Sequence, residues 1–254
     1  MKDRSFLRRA VLLPAAALLF SFLPSATHKI HVYMIGDSTM CRYEPGRSPL
    51  TGWGMPFADF FDSAVVISNQ AQSGRSTRTF IEEHFWPPIS DSLQTGDYLF
   101  IQFGHNDEVP TKKSYTPEDD FRRNLVFFIS EAKKRGVIPV LLTPVARRQF
   151  DSTGRVRETH LRYSEIIRST SAAEGVILID LDRKSQELLQ ELGPEKSKLL
   201  YNHLDPGENP HYPNGNTDDS HFNELGARMI AELAFTEIAR FEPTLAAYVS
   251  KQRD

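Results

Sequence analysis

Ser38 stands where the apolar run of YMIGDSTM stops, in Gly36-Asp37-Ser38-Thr39. A serine hydroxyl attacks an ester only when an adjacent imidazole takes its proton and a carboxylate fixes that imidazole's tautomer. Near the C-terminus DDSH (Asp218–His221) carries both groups, Asp218 and His221 lying three apart on a loop that enters a helix. The attack creates an oxyanion, which needs fixed hydrogen-bond donors. The backbone N–H groups of Ser38 and of Gly74 (in NQAQSGRS) and the side-chain amide of Asn106 (in GHND) could supply three. Glycine at 74 lets the backbone approach a substrate closely, and asparagine at 106 brings a donor without a repelling charge.

Each residue has a plainer reading. Gly, Asp and Ser are common turn formers, so Ser38 could simply turn, as could Gly74, and Asn106 could only cap a loop. Asp37 and Asp219 are alternative carboxylates for the imidazole, with Asp37 better suited to holding its own loop. His105 and Asp107 read as framework, since one imidazole already fills the base role. In NHLDPGENPHYPNGNTDDSH, His203, Asp205, His211 and Asp218 raise a metal reading, but their spacing fits no compact zinc signature. No metal or other cofactor is therefore expected. Asp180 and Asp182 form D-x-D, but Arg183-Lys184 follows where a phosphate-transfer motif needs Thr or Val. For substrate, Arg75, Arg78, Arg147 and Arg148 fall in loops near the presumed site, where a guanidinium fork suits a uronate carboxylate. Trp53 and Trp86 could each offer a flat face to a sugar ring or belong to the core.

These groups meet only if the fold brings them together. Short apolar or β-branched runs at 31–35, 64–68, 98–103, 137–143 and 176–180 read as strands. Helical patterns lie between them at 55–62, 78–93, 117–135, 159–174 and 183–192, with a last one at 223–240. The clearest runs from Pro117, with Thr116 as its cap, Phe121, Leu125, Phe128, Ile129 and Ala132 on one face, and Gly136 at its end. Such alternation implies an α/β domain with a parallel sheet and helices on both faces. Ligands of open α/β sheets bind outside the carboxyl ends of the strands, where GDSTM, NQAQSGRS and GHND all fall.

The chain has 254 residues, 40% hydrophobic, enough for a sizeable core. Residues 1–26 combine Lys2, Arg4, Arg8 and Arg9 with an apolar run from Ala10 to Leu23 and small residues at Ser25 and Ala26, the pattern of a secretory signal. Residues 27–254 then form a single catalytic domain, exported to the periplasm or the exterior. Its 26 Lys/Arg against 32 Asp/Glu give a formal charge of −6, which argues against nucleic acid or anionic lipid as a partner. The single cysteine, Cys41, allows no internal disulfide and reads as a small buried residue.

The ordered blocks GDSTM, NQAQSGRS, GHND and DDSH resemble the four blocks of the SGNH/GDSL hydrolases. Their flanks, GRSTRTF, FGHND, TPVARRQF and DDSHFNELGA, are similar to the rhamnogalacturonan acetylesterase branch, over about 30–240. The resemblance implies a three-layer α/β/α sandwich of flavodoxin-like type with a five-stranded parallel sheet, and metal-independent removal of acetyl groups from plant-wall polysaccharide. By position it implies Ser38 as nucleophile, His221 as base, Asp218 as orienting carboxylate, and Ser38, Gly74 and Asn106 as the oxyanion hole; the spacing of Asp219 does not fit the pattern. Where the wider family usually carries a leucine-containing serine motif, Thr39-Met40 follows Ser38 here, which points to the carbohydrate-esterase branch. The expected substrate is thus acetylated rhamnogalacturonan or pectin. The alternatives are acetylated xylan or another glycan, a small acyl ester, or, remotely, a non-catalytic carbohydrate-binding module.

Overall fold

The computed structural model describes residues 29–249, so the segment 1–26 read as a secretory signal lies outside the described residues. Five parallel strands form one sheet in the order β2-β1-β3-β4-β5: β1 (Ile30–Gly36), β2 (Val65–Asn69), β3 (Tyr98–Gln102), β4 (Ile138–Leu142) and β5 (Ile177–Ile179). All five expected strands are present, with ends that differ by at most one residue.

Side chains alternate across the pleat, so each strand feeds two cores. Val32, Met34, Phe100, Val140 and Leu142 point to one face, where they pack with Leu189 of α5 (Leu181–Lys196) and with Ile230 and Ala234 of α6 (Glu224–Phe241). Tyr33, Ile35, Leu99, Ile101 and Leu141 point to the other. There they meet Phe80 of α1 (Thr77–Glu82), Trp86 of α2 (Trp86–Ser92), Phe121, Leu125 and Phe128 of α3 (Glu118–Lys134), and Ile167 of α4 (Leu161–Glu174). The result is the expected α/β/α layering. Each large apolar side chain so buried contributes roughly 1.5–3 kcal/mol. A short α7 (Pro243–Ala246) follows α6.

The helices differ from expectation where proline acts. The single helix read at 78–93 is two, broken at His84 (φ 61°), because Pro87 and Pro88 lack N–H groups and can enter only a helix's first turn. The stretch at 55–62 is a 3₁₀ turn over Pro56–Phe60. α3 begins with Pro117 at its N-cap, and Thr116 does not cap it; its hydroxyl donates to Ser114 O instead. Glu118, Asp119 and Asp120 face the positive end of the helix in its place. α5 runs further than expected in both directions, through an interruption at Gly193.

Candidate active site

Ser38 follows the carboxyl end of β1 directly. Gly36 ends that strand because a Cβ there would meet Gln102 O of β3 at 2.6 Å. The chain then turns over, the N–H groups of Met40 and Cys41 both donating to Asp37 O. Asp37 holds this turn: its Oδ1 accepts from Thr39 N at 3.0 Å and from Thr39 Oγ1 at 2.8 Å. Burial pushes the Asp37 carboxyl above its ordinary range, the two Thr39 bonds opposing it. Tyr43 Oη donates to Ser38 O at 2.8 Å and pins the serine's own peptide.

The loop into α6 brings the imidazole. His221 Nε2 lies 3.0 Å from Ser38 Oγ, and His221 Nδ1 lies 2.7 Å from Asp218 Oδ2. The other Asp218 oxygen accepts from the backbone N–H groups of Ser220 at 2.8 Å and His221 at 2.9 Å, so the carboxylate cannot swing away. Burial raises the Asp218 pKa, but the His221 hydrogen bond, its charge and the two N–H groups outweigh that and hold it below the usual carboxylate range. Asn223 caps α6 by accepting from Gly226 N, which anchors the segment at its far end.

Gly74 and Asn106 arrive from the next two strands. Gly74 sits after β2 with φ 77°, a left-handed value that favours glycine, and a Cβ there would face open space. The preceding loop is tied to β1 by Gln72 N donating to Gly36 O at 2.9 Å. Asn106, after β3 and only 5% exposed, donates from Nδ2 to Arg75 O at 3.1 Å, which sets it against the peptide next to Gly74. Its Oδ1 accepts from Lys112 Nζ at 3.2 Å. That pairing fixes which way the amide faces, since the reverse orientation would set its NH₂ against an ammonium and its carbonyl against another carbonyl.

The framework residues are as expected. Asp107 Oδ1 accepts from Thr77 N at 2.9 Å and Thr77 Oγ1 at 2.6 Å, fastening the β3 loop to the start of α1; burial lifts this carboxyl to about 7. His105 is buried 4.3 Å from the His160 ring, and desolvation together with the charges of His160 and Arg147 holds its pKa well below the ordinary value. Asp219 pairs with Arg148 and His203 rather than with His221. Asp180 and Asp182 are both held by Arg168, at 2.9 and 2.8 Å, an internal ion cluster. Among the described residues no group of three His, Cys, Asp or Glu is placed to hold a metal ion. Trp53, Trp86 and Cys41 are buried, Trp53 donating to Gln102 Oε1.

Each of the four arginines expected near the substrate has a carboxylate partner within the protein. Arg75 is paired with Glu83 at 2.7 Å, Arg78 with Glu82 at 2.7 Å, Arg147 with Glu108 at 3.1 Å and Arg148 with Asp219 at 2.6 Å. Glu82 lies one helical turn from Arg78 within α1, whereas the partners of Arg147 and Arg148 come from distant loops. All four guanidinium groups are thus engaged within the protein, those of Arg75 and Arg78 at the more exposed positions. The cation that sequence reasoning missed is Lys112: it is exposed beside Asn106 and among the described residues has no carboxylate partner. A cavity of about 720 Å³ between Pro49, Lys198, His203 and Leu225 is lined by neither Ser38 nor His221. Geometry at the strand ends, rather than cavity size, marks the site.

The model of the GDSL-like lipase/acylhydrolase family matches residues 34–229. The rhamnogalacturonan acetylesterase RhgT of Bacillus subtilis is 39% identical over 204 residues, covering 80% of this chain and 87% of that one. The probable rhamnogalacturonan acetylesterase YesY of the same organism is 33% identical over 225 residues, 88% of this chain and 99% of that one. Among solved structures, protein YXIM of Bacillus subtilis superposes with a TM-score of 0.72 at 29% identity, covering 84% of this chain and 57% of that one. Axe2, an acetylxylan esterase from Geobacillus stearothermophilus, gives a TM-score of 0.57 at 20% identity, covering 84% and 96%, a likeness of fold alone.

Proposed function

This chain belongs to the GDSL-like lipase/acylhydrolase family and is a carboxylic ester hydrolase, and we propose that it removes acetyl groups from pectic polysaccharide through a Ser38-His221-Asp218 acyl-enzyme route. The observation that carries the reading is the unbroken line from Ser38 Oγ to His221 Nε2 (3.0 Å) and from His221 Nδ1 to Asp218 (2.7 Å). Ser38 Oγ attacks the acetyl carbonyl as His221 Nε2 takes its proton, and Asp218 stabilises the imidazolium. The oxyanion is received by the N–H groups of Ser38 and Gly74 and by Asn106 Nδ2. Collapse breaks the bond to the sugar oxygen, which leaves with the proton from His221. Water then attacks the acetyl-serine, His221 acting as base, and acetate departs.

The choice of polymer rests on the relatives' substrates and on Lys112, a cation beside the oxyanion donor with no carboxylate partner among the described residues, which suits a uronate-bearing chain better than a neutral one. Acetate release from acetylated rhamnogalacturonan, acetylated xylan and a small acetyl ester, each beside Ser38→Ala protein, tests the reading. We expect rhamnogalacturonan to be the best substrate, and Lys112→Gln to raise KM on it more than on xylan. Preference for xylan would transfer the activity to that polymer, and no Ser38-dependent acetate release from either polymer would end the carbohydrate reading. Export by the 1–26 leader belongs to the same proposal. N-terminal sequencing of protein recovered outside the cytoplasm should begin just after Ala26.

A further inference from the structure

Two adjacent arginines hold the residues that separate the acid from the base. The DDSH segment lies in a connection, 201–223, that contains no helix and is joined to itself by isolated bridges such as Tyr201 to Phe222 and Leu204 to Asn216, and by side-chain bonds such as His203 Nε2 to Asp219 Oδ1 at 2.8 Å. Asp219 and Ser220 stand between Asp218 and His221. Arg148 N donates to Asp219 O at 2.8 Å, and its guanidinium donates to Asp219 Oδ1 at 2.6 Å, to Ser197 Oγ at 3.1 Å and to Pro194 O. Arg147 donates to Ser220 Oγ at 3.0 Å from one nitrogen, and to His105 O at 3.2 Å and Glu108 Oε1 at 3.1 Å from the other. His105 immediately precedes Asn106, and Glu108 is itself fixed by His160 Nδ1 at 2.9 Å.

We propose that Arg147 and Arg148 are positioning residues for acyl transfer, clamping the Asp218–His221 segment and, through Arg147, tying it to the loop that carries the oxyanion donor Asn106. The proposal rests on the esterase reading of Ser38, His221 and Asp218. Acyl transfer needs the base beside the nucleophile and the donor beside the developing oxyanion at once, and a misplacement of 1 Å can cost ~10²-fold. The base and the donor arrive on loops more than a hundred residues apart in sequence. A guanidinium suits the task because its rigid planar fork reaches acceptors on two loops simultaneously, which a lysine's single ammonium does less well. The side chains of Arg147 and Arg148 are only 20% and 10% exposed, so solvent and salt screen their contacts little.

The test compares parent, Arg147→Met, Arg147→Lys and Ser220→Ala on a small acetyl ester, with thermal unfolding alongside. The proton NMR resonance of the His221 Nδ1–H bonded to Asp218, assigned by its loss in Asp218→Ala, reads the geometry without catalysis. We expect Arg147→Met to lower kcat by ~10–100-fold with KM little changed and to broaden or shift that resonance, with Arg147→Lys recovering part of both. Ser220→Ala should lower kcat several-fold at an unchanged unfolding temperature, and it decides the matter if Arg147→Met fails to fold. Parental kcat and an unmoved resonance in the folded variants would overturn the clamp. If the parent hydrolyses no acetyl ester, the esterase reading fails on its own, and the resonance still decides whether the arginines position His221.

Discussion

Replacing Asn106 with alanine isolates one contribution to the barrier. The amide has two Nδ2 hydrogens, of which one is engaged by Arg75 O at 3.1 Å, leaving the second for an incoming oxyanion. Loss of such a donor in a buried site lowers kcat by ~10²–10³, or about 2.7–4 kcal/mol. The folded state loses two modest hydrogen bonds, to Arg75 O and from Lys112, worth ~1 kcal/mol each. In a domain of this size that lowers the unfolding temperature by no more than ~8 °C, so the variant can be assayed folded. Because the donor acts on charge that develops only after attack, the loss should fall on kcat and leave KM near the parent value. Asn106→Asp should be slower still, since it substitutes a carboxylate for the donor at the place where negative charge must build. The assay is steady-state acetate release by parent, both variants and Ser38→Ala, with circular dichroism melts. An Asn106→Ala enzyme with kcat within about threefold of the parent would refute the oxyanion assignment.

Within the triad, Ser38→Ala or His221→Ala should each lower kcat by up to ~10⁶ and Asp218→Ala by about 10⁴, read by the same assay, and equal losses at all three positions would contradict the orienting role of Asp218. Asp107 makes a prediction about stability rather than rate. Burial lifts its carboxyl to about 7, so between the unfolded value near 4 and that figure the folded state holds a proton the unfolded chain lacks, and stability falls as pH rises through this window. Asp107→Asn removes that dependence, up to ~4 kcal/mol, and urea midpoints of parent and variant from pH 4 to 8 should diverge in slope below 7 and run parallel above it. Identical slopes would mean that Asp107 does not carry the proton.

The groups that the proposed mechanism uses were legible because their chemistry depends on residue type and on position at a strand's end. Ser38, Gly74 and Asn106 each follow an apolar run, so a parallel sheet brings them to one edge, while Asp218 and His221 share one short segment before α6 that meets Ser38 there. The break between α1 and α2 was also encoded, in Pro87 and Pro88, and a reading by hydrophobic pattern alone ran through it because both halves place apolar residues on the same core.

What each arginine does was not legible. Arg147 and Arg148 look like free loop cations in sequence, yet they meet Ser220 and Asp219, 73 and 71 residues away. Lys112 carries no signal in sequence that singles it out, and it lies against Asn106. Residue type and strand-end position thus determined by themselves the α/β fold and the groups able to carry the reaction, because apolar periodicity and side-chain chemistry are local properties. Whether a given charge is neutralised within the protein or left to meet a substrate was decided only by the tertiary structure, because a long flexible side chain takes its partner from whichever loop the fold sets beside it.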